Sequence, residues 1–206
     1  TSKALSRQEI IDIVEFYARR GVVVVIDEAY AEFGAESVVK ETLRYDNLLV
    51  VRTLSKSKSL AGLRAGYAVG APVLIDGLKR IRDMFNSYTM NTLTQLAGAA
   101  ALEDEAYYHA KTVELIRIRS QVQDRLKKCG WTVLPSVTNF LFMSLPGIQG
   151  CTVAERFRAS KILVRHWNKP RISNYIRVSI GTEDTMEQFC AVAEMLSEQR
   201  TETLNA

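Results

Sequence analysis

The sequence predicts an α/β fold in two parts, with parallel strands of a large domain over residues 1–104 and a small α+β domain over 105–206. Three observations predict it. Two apolar runs, Val22-Val23-Val24-Val25-Ile26 and Leu48-Leu49-Val50-Val51, lack alternation and turn polar only at their C-terminal ends. Such runs read as parallel strands covered by helices on both faces. A helix-like stretch precedes the first run, so the chain opens with the helix of an αβ unit. Beyond residue 103 a long charged helix-like stretch gives way to four short strand-like runs with helical stretches among them.

In the first element, Ser6-Arg7-Gln8-Glu9 sets a serine three residues before a glutamate, just ahead of Ile10, Ile11, Ile13, Val14 and Phe16. That is a capping box opening an amphipathic helix, which should run to about Arg20 and stop at Gly21. Residues 31–46 are polar and acidic and predict a surface connection with a turn at Phe33-Gly34 and a short helix over 37–43. After the second apolar run, 59–63 is a loop, and 64–70 is a third strand flanked by glycines that permit close backbone approach.

Pro72 opens an amphipathic helix carrying Val73, Leu74, Leu78 and Ile81 and ending near Met84. Residues 85–91 break the pattern. From 92 to 102 the small residues Ala97 to Ala101 predict a helix that another backbone can approach closely, as at a domain or subunit contact. Val113, Ile116, Val122 and Leu126 form the apolar side of a helix over 103–128, stopped by Gly130. Strands are then expected at 131–134, 140–143, 162–164 and 175–180, and helices at 153–159 and 185–199. The tail, 201–206, is expected to be disordered.

Composition narrows the function. Apolar residues make up 47% of the chain, ample for a core, and 27 basic against 23 acidic side chains leave a net charge of only +4. The basic pairs Arg19-Arg20, Lys79-Arg80 and Lys127-Lys128 end helix-like stretches, where they complement the helix dipole. No basic face with interleaved aromatics stands out, so nucleic acid is not an expected partner. No apolar stretch approaches the ~20 residues that span a bilayer, and no signal-peptide pattern opens the chain. A cytoplasmic protein without a membrane partner is expected. Cys129, Cys151 and Cys190 are widely spaced without a CxxC, which predicts reduced thiols and no metal site. His109 and His166 are isolated.

Open parallel sheets bind ligands at the carboxyl ends of their strands. Asp27, Tyr30, Thr53, Ser55 and Lys56 fall there, gathering an acid, a phenol, two hydroxyls and an amine. This set resembles the pyridoxal 5'-phosphate site of the aspartate aminotransferase superfamily, fold type I. The order and spacing of Asp27-Glu28-Ala29-Tyr30, Thr53-Leu54-Ser55-Lys56 and Ala61-Gly62-Leu63-Arg64-Ala65-Gly66 resemble the hallmarks of the histidinol-phosphate aminotransferase family.

The resemblance covers nearly the whole chain but only the C-terminal part of a family member. It lacks the family's Asn-Pro-x-Asn-Pro-Thr-Gly loop, phosphate-cradling glycine turn and ring-stacking aromatic, which implies a truncated chain with weak or absent turnover. The fold implied is the C-terminal part of a fold type I transferase. Lys56 would be the imine-forming residue and proton carrier. Asp27 would hold the cofactor's ring nitrogen charged, Tyr30 would donate to its 3' oxygen, and Thr53, Ser55 and Arg64 would bind its phosphate, with Ser57 a weaker candidate. Arg177, in Arg177-Val178-Ser179, would grip the substrate carboxylate, and Arg165 the substrate phosphate or the distal carboxylate of glutamate. Asn139-Phe140 matches a family motif near the site without a firm role. The implied reaction interconverts histidinol phosphate and 2-oxoglutarate with imidazole acetol phosphate and glutamate, in histidine synthesis, by a homodimer with active sites at the subunit interface. A threonine-phosphate decarboxylase, an aromatic aminotransferase and a non-catalytic cofactor-binding member remain open.

Each residue also has an ordinary reading. Lys56 could be a solvated loop lysine, Asp27 a helix cap or surface ion pair, Tyr30 a half-buried tyrosine, and Arg165 a strand-end residue in solvent. An acid closing a buried apolar run, and an arginine within an apolar strand, are costly without a partner. That cost is what favours a ligand.

Overall fold

Helix α1 (Arg7–Ala18) begins where the capping box places it. The Ser6 hydroxyl accepts the Glu9 N–H at 3.3 Å, and the Glu9 carboxylate accepts the Ser6 N–H at 2.7 Å. The structure, a computed structural model, describes residues 2–205, with side chains described through Arg200. Contacts divide the chain inside α4 (Glu105–Lys128): Ala4–Thr112 form one unit, and Val113 onward, with Ser2 and Lys3, form the other.

In the first unit, β1 (Val24–Asp27) pairs parallel with β2 (Leu48–Thr53) from Val24 opposite Leu48 to Asp27 opposite Val51. β3 (Gly66–Gly70) joins the other edge of β2 and runs antiparallel, so only β1 and β2 are parallel. Ile10 and Val14 of α1 pack with Val38, Leu48 and Val50 as the core beneath the sheet. Burial of β1 on both faces, expected from its apolar run, is not found. Val24 and Ile26 pack on that core, while Val25 points the other way and is 56% exposed. An apolar run marks residues suited to burial; it does not supply the element that covers them.

The connection folds as a 3-10 turn over Val39–Leu43 rather than a full helical segment. Helix α2 (Pro72–Phe85) has proline in its first turn and buries none of its residues. Helix α3 (Thr92–Glu103) is capped by Asn91, whose Oδ1 accepts the Thr94 N–H at 2.8 Å. Asn91→Ala leaves that N–H unsatisfied and is expected to cost about 0.5–2 kcal/mol, read as a lowered denaturation midpoint. Gly98 of α3 faces the lysine-bearing loop: a Cβ there would sit 3.2 Å from Leu54 Cδ1.

The second unit holds one antiparallel sheet in the order β4-β5-β7-β6, built from Thr132–Val133, Phe140–Ser144, Ile176–Ser179 and Arg165–His166 respectively. Helices α5 (Gly150–Ala159) and α6 (Glu183–Asn205) complete it. Its core joins Val122 and Leu126 of α4 to Leu141, Met143, Ile176 and Val178 of the sheet, with Phe157 stacked on Phe189 at 4.8 Å.

Two expectations are corrected here. The strand placed at 162–164 forms instead at Arg165–His166, because the end of α5 takes the intervening backbone: Lys161 is left-handed (φ 62°) and the Ile162 N–H reaches back to the Phe157 carbonyl at 2.9 Å. The tail expected to be disordered continues α6 to Asn205, since no glycine or proline follows Glu183 to stop it; Ala206 lies outside the described residues.

Candidate active site

The loop carrying Lys56 is held by its own backbone. As β2 ends, Thr53 Oγ1 accepts the Ser55 N–H at 3.1 Å and donates to the Ala65 carbonyl at 3.3 Å. The Leu54 N–H also reaches Ala65, at 3.1 Å, while the Leu54 carbonyl accepts from Leu60 and the Lys56 carbonyl from Ser59, both at 3.0 Å. Ser59 and Arg64 adopt left-handed backbone, each with φ 55°, which turns the loop back towards β3. Such a backbone in residues other than glycine is uncommon and persists where surrounding bonds enforce it.

Gly66 closes the loop. A Cβ there would lie 2.6 Å from the Arg52 carbonyl oxygen, a backbone atom that cannot step aside. Gly66→Ala is expected to cost about 1–3 kcal/mol as overpacking. Chemical denaturation reads the loss, and it should exceed that of Gly62→Ala, where nothing lies within 4 Å.

Lys56 is half-buried, and its Nζ lies 5.2 Å from the centroid of the Tyr30 ring. Tyr30 follows the end of β1 by three residues. Between them Asp27 Oδ1 accepts the Ala29 N–H at 2.9 Å, an Asx turn that aims the chain from the strand end towards Tyr30. Because β1 and β2 are parallel, Asp27, Tyr30 and the lysine loop open at the same end of the sheet. Asp27 is exposed, which corrects the expectation of a buried carboxylate: its β1 neighbour Val25 faces outward as well.

The structure therefore brings Lys56 and Tyr30 together beside the Asp27 turn. The Ser55 hydroxyl bonds no described residue and is free to donate. The Arg64 guanidinium is exposed and donates through Nη1 to the Ala61 carbonyl at 3.1 Å, leaving most of its fork open. The Thr53 hydroxyl lies 3.3 Å from the Ala65 carbonyl and braces the loop in this structure.

Sequence reasoning missed the support beneath this site. Glu28, only 8% exposed, accepts Arg52 Nη2 at 2.7 Å, Arg52 Nε at 3.0 Å and the Ser37 hydroxyl at 2.8 Å on one oxygen, and the Val38 N–H at 2.6 Å on the other. Burial lowers the Arg52 pKa, but the bonds and charge of Glu28, with help from Tyr67, outweigh it and hold the guanidinium above its ordinary value. Glu28 adjoins Asp27 and Arg52 adjoins Thr53, so this pair ties together the two strand ends that carry the site. Arg52 in an otherwise apolar strand was the available signal.

In the second unit Arg165 and Arg177 are register partners across β6 and β7. Alternation along the sheet sends Leu141, Met143, Ile176 and Val178 into the core. Phe140, Phe142 and Arg177 point to the opposite face, with Tyr175 stacked on Phe142 at 4.8 Å. The Arg177 guanidinium lies 5.2 Å from the Phe140 centroid and 5.3 Å from that of Trp167, and Arg165 lies 5.4 Å from Trp167. Neither arginine forms an ion pair or side-chain hydrogen bond with a described residue. A groove of about 400 Å³ is lined by both, with Ser179 and Thr185. Two unpaired cations facing one another repel, and an anion between them would remove that cost while filling their forked donors. Asn139, beside Phe140, gives its carbonyl to the Ile180 N–H at 2.9 Å, a backbone role.

Comparison with known proteins agrees with these motifs. The sequence profile described as "Aminotransferase class I and II" matches residues 1–192. Histidinol-phosphate aminotransferase of Syntrophus aciditrophicus is 48% identical over 189 residues, 92% of this chain and 52% of that protein. Histidinol-phosphate aminotransferase 1 of Hydrogenovibrio crunogenus is 43% identical over 200 residues, 97% of this chain and 56% of that protein. The chain thus spans about half the length of the curated relatives it matches. Among solved structures, histidinol-phosphate aminotransferase from Sinorhizobium meliloti, in complex with pyridoxal-5'-phosphate, superposes with a TM-score of 0.82 at 24% identity, covering 97% of this chain and 55% of that one. That likeness shows a shared fold, the α/β architecture of fold type I. With that profile matching most of its length, the chain belongs to the aminotransferase class I and II family.

Proposed function

We propose that this chain binds pyridoxal 5'-phosphate at the Lys56 loop and contributes to a transaminase that interconverts histidinol phosphate and 2-oxoglutarate with imidazole acetol phosphate and glutamate. The observation that carries it is the Lys56 amine 5.2 Å from the Tyr30 ring centroid, at the strand ends that bear Asp27. The donor set fits the group: a primary amine, an exposed acceptor-only carboxylate, a phenol, a free hydroxyl and an open guanidinium fork lie on one sheet end and its loop. When bound, the cofactor supplies an aldehyde that condenses with amines and a ring that withdraws electrons from the substrate α-carbon.

The protein's residues supply the rest. Asp27 would accept from the ring nitrogen and keep it protonated, and Tyr30 would donate to the ring oxygen. Ser55 and Arg64 would hold the phosphate, the arginine through its planar fork. Lys56 Nζ would hold the cofactor through its aldehyde carbon and would carry the proton that leaves the substrate α-carbon. Arg177 grips the substrate carboxylate, and Arg165 the substrate phosphate or the distal carboxylate of glutamate.

A place in histidine synthesis follows from the substrate, and a homodimer in the cytoplasm is part of the same reading. The apolar surface of α2 and the segment after it supports a polypeptide partner: Met84, Phe85 and Tyr88 are almost fully exposed. No described helix is long and apolar enough to cross a membrane.

A visible-absorbance titration with pyridoxal 5'-phosphate, followed by candidate amine donors, tests the proposal. A saturable band is expected, perturbed at lower concentration by histidinol phosphate than by threonine phosphate or phenylalanine. Absence of a saturable band, or a stronger response to either competitor, overturns the corresponding part.

A further inference from the structure

We infer that Trp167 is a positioning residue that holds Arg165 and Arg177 as one two-cation receptor, so that this face of the second unit selects dianions over monoanions. The inference rests on the substrate-binding roles proposed above for the two arginines and adds a residue that the family motifs did not single out. Arg165 and Arg177 stand opposite in the β6–β7 ladder, and like charges so placed push their side chains apart. Both guanidinia nevertheless lie over one ring, at 5.4 and 5.3 Å from the Trp167 centroid, within the range of cation–π attraction.

The ring is itself fixed. Trp167 is partly buried and meets Phe142 edge-on at 6.4 Å, while Phe142 is buried and stacked on Tyr175. The Trp167 carbonyl accepts the Lys169 N–H at 3.0 Å, and His166 Nε2 bonds the Ser173 carbonyl at 2.8 Å, so the segment between β6 and β7 is anchored on both sides of the ring. Both cations are thus held beside aromatic rings, and no described residue takes their N–H donors. Arginine loses less freedom per hydrogen bond when its fork is already oriented. A carboxylate or phosphate at each fork neutralises both cations, whereas a single anion leaves one uncompensated.

Succinate and propionate are the probes, titrated into the cofactor-free chain while the Nε–H signals of Arg165 and Arg177 are followed by NMR. In the unsubstituted chain both signals should move together with one dissociation constant for succinate, and propionate should bind more weakly. Trp167→Leu is expected to weaken succinate binding by about tenfold and to shrink the preference over propionate, as expected for losing two partly exposed cation–π contacts. Trp167→Phe, which keeps a ring, should restore most of the affinity. A purely structural role would not restore the succinate preference with the ring.

The inference is overturned if Trp167→Leu binds succinate as the unsubstituted chain does, or if the two signals respond independently. It is also overturned if Trp167→Phe is as impaired as Trp167→Leu. Should Trp167→Leu fail to fold, the phenylalanine variant and the coupled response of the unsubstituted chain still decide. No cofactor is present, so failure of pyridoxal phosphate binding at Lys56 leaves this result standing, and the reverse also holds.

Discussion

Lys56→Ala is expected to abolish the saturable visible band that pyridoxal 5'-phosphate develops on this chain. It should also lower any proton exchange at the substrate α-carbon by roughly 10²–10⁴-fold, the range for losing a positioned proton-transfer group. Two roles fall on one nitrogen: a covalent link to the cofactor aldehyde and the base that serves the α-carbon. Lys56→Arg keeps the charge but lacks the nucleophilic amine, and should lose the band as fully. The internal control is Lys58, two residues on. It is buried, and its Nζ lies 4.9 Å from the Tyr108 ring centroid, whereas Lys56 turns to Tyr30. Lys58→Ala should leave the band in place, and difference spectra of the three variants at equal cofactor concentration decide the point.

Breaking the pair beneath the site should be the most costly single change to stability. Glu28→Ala strips the half-buried Arg52 of its anion and leaves the Ser37 hydroxyl and Val38 N–H without their acceptor. Removing one partner of a buried ion pair costs about 3–5 kcal/mol, because the remaining charge is still desolvated. Urea unfolding should show a much lower midpoint at an unchanged slope, the mark of a stability effect without a change in compactness. The paired replacement Glu28→Leu with Arg52→Met removes both charges together and is expected to recover most of the loss. Because Glu28 adjoins Asp27 and Arg52 adjoins Thr53, Glu28→Ala should also weaken cofactor binding without touching a cofactor ligand.

Much of this was legible in the sequence, for identifiable reasons. The capping box at Ser6 and Glu9 is a local motif whose bonds lie within four residues, and it forms as read. The lysine loop was found through its resemblance to family motifs, and its glycine at 66 marks the close approach to the Arg52 carbonyl that closes it. Arg177 stood out as a charge in an apolar strand, and the structure shows it held between two rings.

What escaped depended on non-local pairing. Nothing in the five-residue apolar run at Val22 reveals that Val25 has no cover, since the covering element would have to come from elsewhere in the chain or from a partner. Glu28 read as part of a strand-end motif, but its partner Arg52 lies 24 residues away and meets it only once β1 and β2 pair. Trp167 carries no sequence motif of its own, and only the β6–β7 register places both arginines over it. The shifted strand at Arg165 was hidden because a lysine, not a glycine, takes the left-handed position after α5.

Borohydride reduction of the chain saturated with pyridoxal 5'-phosphate, followed by peptide mass spectrometry, tests the central claim most directly. The account predicts a pyridoxyl group fixed on Lys56, absent from the same peptide of the Lys56→Ala chain. A label spread over surface lysines, or concentrated on Lys58 with Lys56 unmodified, would contradict it.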